Sequence, residues 1–255
     1  MKIISIINLK GGVAKTITSA NISHILSKGG KRVLMIDNDK QGNLSKFYGV
    51  HSYDIPSVSD ILTVRGCNTN SVICDTRYSN LDIIPANMTL LSANKETLLD
   101  TTRPQATRFR NALKLVRDNY DYCIIDNAPD INISTINALV CSDNVIIPLK
   151  IDKFAFDGLA ELSQQIDEIV AYDELNPSLV EPKILITSFQ RNEVNIQGVD
   201  ILPQFTKYKA FQTKIRKTEK IDESTFYNKP IIEYSKRCGA AKDYISLVDE
   251  ILSQW

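Results

Sequence analysis

The sequence is poor in the side chains that carry most protein chemistry. It has two histidines, one tryptophan and three methionines in 255 residues. His24 and His51 are not clustered with cysteines or acids, so a zinc centre or a Ser-His-Asp triad lacks its parts. Both are expected to be structural or solvated. The five cysteines are Cys67, Cys74, Cys123, Cys141 and Cys238. They contain no C-x-x-C pair, and an odd number cannot complete a disulfide framework. Cys123 and Cys141 lie in apolar runs and read as buried core thiols, which fits a reducing compartment. No apolar run approaches the roughly 20 residues that span a bilayer. The N-terminal Met-Lys-Ile-Ile-Ser-Ile-Ile is too short for the apolar region of a signal peptide and lacks a cleavage site. Charge of one sign is not in excess either, since 30 Lys plus Arg balance 30 Asp plus Glu. That excludes histone-like overall basicity but not a local basic patch. Together these absences predict a soluble cytoplasmic protein.

What is present is an alternation of short apolar runs and helical stretches. Strands are expected at 2–7, 32–36, 81–84, 122–125, 144–149 and 183–187. Helices are expected at 16–28, 90–99, 106–117, 156–171 and 240–252. Strands alternating with helices imply βαβ units. Runs that are apolar throughout suggest a parallel sheet covered on both faces. The expected fold class is α/β, doubly wound, with ligand at the carboxyl ends of the strands. No linker or repeat stands out, so residues 1–255 are expected to form one domain.

The first strand ends in Asn8-Leu9-Lys10-Gly11-Gly12-Val13-Ala14-Lys15-Thr16. A glycine-rich loop between a strand and a helix is the setting a phosphate-binding loop needs. Gly11 and Gly12 let the backbone curl so that successive N–H groups point at one anion. The following helix adds its N-terminal dipole. Lys15 supplies a point charge for the terminal phosphates, and the Thr16 hydroxyl can coordinate Mg²⁺. The literal G-x-x-x-x-G-K-[ST] pattern is broken by Leu9 and Ala14.

Two acidic segments follow. Residues 33–43 read Val-Leu-Met-Ile-Asp37-Asn38-Asp39-Lys40-Gln41-Gly42-Asn43. Residues 123–129 read Cys-Ile-Ile-Asp126-Asn127-Ala128-Pro129. Acids at a strand end must face solvent or a cation, because buried unpaired carboxylates are costly. An apolar strand ending in Asp is the Walker B arrangement, with Asp126 placed to hold Mg²⁺ through water.

With these residues in view, K-G-G-V-x-K-T after the first strand resembles the deviant Walker A motif of the ParA/MinD family of dimerising P-loop ATPases. The D-x-D-x-Q-G-N segment and the D-x-x-P strand end follow in that family's order. Val145–Leu149 resembles its next strand. The resemblance runs essentially end to end and is of the short ParA/Soj type, with no room for an N-terminal DNA-binding domain. It implies a slow ATPase with ATP and Mg²⁺ as cofactors. The nucleotide would lie on residues Lys10, Gly11, Gly12, Val13, Ala14, Lys15, Thr16 and Ile17. Lys10 would reach the partner's phosphates in a nucleotide-dependent homodimer. Asp39 would orient the attacking water, and Asp37 would join Thr16 and Asp126 around Mg²⁺. Ala14 replaces a glycine of the pattern, and Ile17 replaces a hydroxyl residue. Counting back from Lys229-Pro230, Arg216 and Thr218 stand where many members have Pro and Asn touching the base, so base contacts are not assigned residue by residue.

Residues 206–242 hold ten Lys/Arg and four acids, a segregated positive stretch on a neutral chain. Such a surface suits a polyanion through counterion release without base reading. The family resemblance places non-specific DNA here. Arg216 is the leading candidate, supported by Lys214, Lys217 and Lys220. A ParB-like centromere-binding partner that stimulates hydrolysis, and association with the nucleoid, are implied in the same way. The alternatives are a MinD-like membrane positioner or an ATP-switch regulator outside partition. The first needs a basic amphipathic C-terminal helix, whereas residues 244–255 are amphipathic but acidic. An iron protein of the same fold would need paired cysteines at a dimer axis, and Cys123 lies inside a strand.

Overall fold

The computed structural model describes residues 1–152, 154–171, 175–176 and 179–255. In chain order the elements begin β1 (Lys2–Ile6), α1 (Lys15–Lys28), β2 (Val33–Asn38), α2 (Asn43–Phe47) and α3 (Val58–Thr63). Then come β3 (Cys74–Asp75), β4 (Leu81–Ile84), α4 (Thr89–Leu99), α5 (Arg108–Lys114), β5 (Tyr122–Asn127) and α6 (Ile133–Cys141). The chain continues with β6 (Asn144–Lys150), α7 (Ala155–Ala171), β7 (Lys183–Thr187) and α8 (Glu193–Ile201). The last elements are α9 (Glu219–Phe226), α10 (Ile231–Tyr234) and α11 (Gly239–Gln254).

The seven strands form one sheet in the order β3-β4-β2-β5-β1-β6-β7. Every pairing is parallel except the two-residue β3, which runs antiparallel to β4. This is the expected doubly wound α/β fold. The uninterrupted apolar strands find their reason in the layers. Ile4, Ile6, Val33 and Met35 pack on one face with residues of α1 and α11. Ile3, Leu34 and Ile36 pack on the other with α3 to α6, and Ile7 and Val145 with α7. Both side-chain directions of each strand are therefore dry.

Register, not sequence proximity, assembles the site. β2 and β5 pair so that Asp37 is opposite Asp126 and Asn38 is opposite Asn127. Both strands run past their expected ends, because these acids and amides stay in the ladder. α1 is clasped from the C-terminal half. Asn21 accepts from the Ile231 N–H at 2.8 Å, and Thr18 meets the Tyr244 hydroxyl at 3.2 Å. The 209–217 segment runs along β7. Ile184 N–H donates to Lys209 O, Ile215 N–H to Ile186 O, and Lys217 N–H to Phe189 O. Tyr244, Leu247, Val248 and Ile251 of α11 are buried against this assembly.

Candidate nucleotide site

The glycine loop sits at the carboxyl end of β1, as expected. Asn8 organises it: its side chain donates to Pro148 O at 2.7 Å and accepts from the Lys10 N–H at 2.9 Å. Gly12 has φ +71°, and a Cβ there, or at Gly11, would meet nothing within 4 Å. These backbones line an open concavity, the form an anion cradle takes. Ala14 also lies in the left-handed region, at φ 69° and ψ 29°, immediately before α1. The loop therefore keeps the conformation that glycine favours, with a methyl group added. Thr187 Oγ1 donates to Val13 O at 3.1 Å and ties the loop to β7.

Lys15 is buried, and its ammonium donates to Asn8 O at 3.0 Å and Lys10 O at 2.9 Å. Burial pushes its pKa down, and Asp126, Asp39 and Asp130 oppose that. Lys10 turns elsewhere, forming an ion pair with Asp152 of its own chain. The Val13 side chain goes into the core. Thus Gly11, Gly12, Ala14, Lys15, Thr16 and Ile17 line the cleft, while Lys10 and Val13 point away from it.

Asp37 and Asp126 are both fully buried and face each other across neighbouring strands. Asp37 Oδ2 accepts from both the N–H (2.8 Å) and the hydroxyl (2.7 Å) of Ser45, and Oδ1 accepts from the Asp39 N–H at 3.2 Å. Asp126 Oδ1 accepts from Ser19 Oγ at 3.0 Å. Burial first, then the facing Asp37, pushes the Asp126 carboxyl up to about 7, against the pull of Thr16, Ser19 and Lys15. Burial pushes Asp37 up to about 6, opposed chiefly by Ser45. Two buried carboxylates facing each other cannot both stay ionised without a cation, and otherwise hold a proton. Among the described residues no group of three or more His, Cys, Asp or Glu could hold a metal. Protein groups alone do not build a cage, then. Two carboxylates and the Thr16 hydroxyl instead fit a hard cation that takes its remaining ligands from phosphate and water, as Mg²⁺ does.

Asp39 is half-buried at the cleft wall, and its carboxylate accepts from the Gln41 N–H at 2.9 Å. The cleft has a volume of about 680 Å³. Its far wall comes from Phe47, Ile215, Ile221, Thr225 and Asn228, which the sequence reading did not assign. Asn228 at φ 51° is the one local signal there. Gly42 of the acidic loop has φ +62°, and a Cβ would come within 2.6 Å of both Ala86 O and the His51 ring. His51 is therefore a packing neighbour of the loop. His24 is buried against Tyr78, with ring centroids 4.5 Å apart.

The four basic residues singled out in the sequence differ in availability. Arg216 gives its backbone N–H, Nε and Nη2 to Asp243 and lies so close to Gly239 that a Cβ there would come within 2.6 Å of its guanidinium. Lys220 pairs with Glu223 at 2.7 Å, and Lys214 lies over the Phe189 ring. Lys217 is exposed, as are Lys236, Arg237 and Lys242. Charge counting could not show which cations are already paired.

The pattern of a family described as an AAA domain matches residues 1–180. The chain is 37% identical to the sporulation initiation inhibitor protein Soj of Bacillus subtilis (strain 168), over 98% of both chains. It is 31% identical to the chromosome partitioning protein ParA of Caulobacter vibrioides, over 100% of this chain and 95% of that one. Among solved structures it resembles cobyrinic acid a,c-diamide synthase from Mycobacterium smegmatis with bound ATP analogue and magnesium. There the TM-score is 0.84 at 25% identity, covering 100% of this chain and 96% of the other.

Proposed function

Because the chain belongs to the ParA/Soj family of partition ATPases, we propose that it is an ATP-driven switch that pairs with a second copy and coats DNA in its ATP form. The observation that carries this reading is the facing pair Asp37 and Asp126, with Thr16 and Lys15 beside Asp126 and themselves lining the glycine-loop cleft. Thr16 and Asp126 would hold Mg²⁺, with Asp37 behind them, and the ion's chemistry is to neutralise charge on phosphate oxygens. The chain's own residues do the remaining work. Gly11 and Gly12 offer backbone N–H groups, and Lys15 offers its ammonium. Asp39 orients a water, and Lys10, once released from Asp152, supplies a second positive charge to the partner's site. Hydrolysis is slow alone and is stimulated by DNA and a ParB-like centromere-binding protein.

The basic surface at Lys217, Lys236, Arg237 and Lys242, flanked by Lys214, Arg216 and Lys220, binds DNA without reading sequence. The protein works in the cytoplasm, on the nucleoid. The apolar face of α11 supports this over a membrane role, since its residues are spent on the core. Among the described residues no helix is long and apolar enough to cross a membrane.

The test is fluorescence anisotropy on a random-sequence duplex with ATP-Mg²⁺, ADP-Mg²⁺ or no nucleotide, at two salt concentrations. Binding with ATP only, weakened by salt and by Lys217→Ala and Arg216→Ala, is expected. No binding in any state overturns the DNA-coating model and leaves an ATP switch of other purpose.

A further inference from the structure

We propose that Ser45 is a positioning residue for hydrolysis, closing the 37–45 loop into a fixed ring that carries Asp39. The proposal rests on the ATPase reading above. Ser45 is fully buried and lies two residues beyond the acidic motif. Its N–H and its hydroxyl converge on one oxygen of Asp37. The same hydroxyl accepts from the Ala86 N–H at 2.9 Å. An amide N–H can only donate, so the hydroxyl proton is left for Asp37. The result is a directed chain, Ala86 N–H to Ser45 O–H to Asp37, that fixes the loop to the segment leaving β4.

Within the ring, the Asp39 N–H is held by Asp37, and Asp39 in turn accepts from the N–H groups of Gln41 and Gly42. The backbone on both sides of Asp39 is therefore anchored. Gly42 is pressed against Ala86 O, the same residue that donates to Ser45. Nothing in this ring touches the glycine loop by hydrogen bond. Loosening it should misplace Asp39 while leaving the phosphate cradle intact, and orientation losses of this kind act on the rate more than on binding.

The experiment compares the full chain with Ser45→Ala and Ser45→Thr. Ser45→Ala should lower kcat by about tenfold or more while KM, and the Kd of a fluorescent ATP analogue, stay within about threefold. Amide exchange at residues 39–43 should quicken. Ser45→Thr, which keeps the hydroxyl, should retain most of the rate. A kcat within about twofold of the parent overturns the proposal, as does a loss of kcat and affinity together with a fall in Tm. Should Ser45→Ala not fold, the parent decides. Ser45 and Ala86 amides exchanging as fast as that of Lys40 would also overturn the ring. A parent with no ATP turnover would fail the ATPase reading, while the exchange and Kd measurements would still judge the ring.

Discussion

Lys10 and Asp152, 142 residues apart, form an ion pair within one chain. The lysine that the family resemblance assigns to a neighbouring molecule's phosphates is thus engaged at home. Under the proposed function, pairing with a second copy has to outcompete Asp152. Both partners are about one-third exposed, and such pairs contribute about 0.2–1 kcal/mol. Asp152→Asn should therefore lower the ATP concentration for half-maximal dimerisation by about 1.5- to 5-fold in sedimentation velocity. Lys10→Ala should leave nucleotide Kd within about threefold but cut turnover at least about tenfold. Unchanged turnover in that variant would remove Lys10 from the mechanism.

Ala14 holds a left-handed backbone at φ 69°. That conformation costs an L-residue about 1–2 kcal/mol. Glycine relieves it but regains about 0.4–1 kcal/mol of unfolded-state freedom. Ala14→Gly should stabilise the nucleotide-free protein by up to about 1.6 kcal/mol in urea unfolding. The parent should still release phosphate slowly, because the rest of the loop is intact. A parent with no turnover, rescued by the glycine, would show that the methyl group is not tolerated.

The buried acid pair makes stability depend on pH. Asp126 is raised to about 7 and Asp37 to about 6, while an unfolded aspartate titrates near about 3.9. Between those values the folded state binds more protons than the unfolded one, so stability falls as pH rises. From about pH 6.5 to 8 the two acids should cost the nucleotide-free protein somewhat under about 1 kcal/mol, offset in part as the unfolded His24 imidazole loses its remaining protons. Asp126→Asn should flatten that slope in denaturant titrations. An unchanged slope would place the proton elsewhere.

His24 acts in the opposite direction. It is buried, with neither ring nitrogen hydrogen-bonded, and burial pushes its pKa down to about 4. The unfolded imidazole, near about 6.5, takes up protons first as pH falls. Its contribution is lost between about pH 6.5 and 4, at no more than about 1.4 kcal/mol per pH unit, so it offsets part of the gain that the two acids make over the same range. His24→Phe should therefore steepen the rise in stability on acidification through about pH 6.5. Thermal melts across the range separate the two.

The glycine-loop half of the site was legible because its parts follow strand ends in a fixed order. Gly11, Lys15, Asp37 and Asp126 each mark where an apolar run stops, and a parallel sheet brings such ends together. The opposite wall was not legible. Ile215 reaches the cleft because the 209–217 segment follows β7, and Ile221 and Thr225 because α9 comes next in the chain, tertiary facts with no local pattern. α6 escaped notice because nearly all of it is buried, which erases the polar face that periodicity detects. The role of Arg216 was blurred for a related reason: its partner Asp243 lies 27 residues away, just beyond the stretch whose charge was counted.

The lateral strands of the sheet bear on a different hazard. An uncovered strand offers a row of N–H and C=O groups to any passing chain and invites aggregation. On one side this sheet ends in β3, only two residues long. On the other, β7 is sheathed by residues 209–217, which take up the hydrogen-bonding groups of Ile184 and Ile186. Strand-to-strand growth is thereby denied to the folded chain, and amyloid-like addition finds no template. Under the proposed function, in which many copies gather on one polymer, this leaves the nucleotide cleft as the face through which they meet.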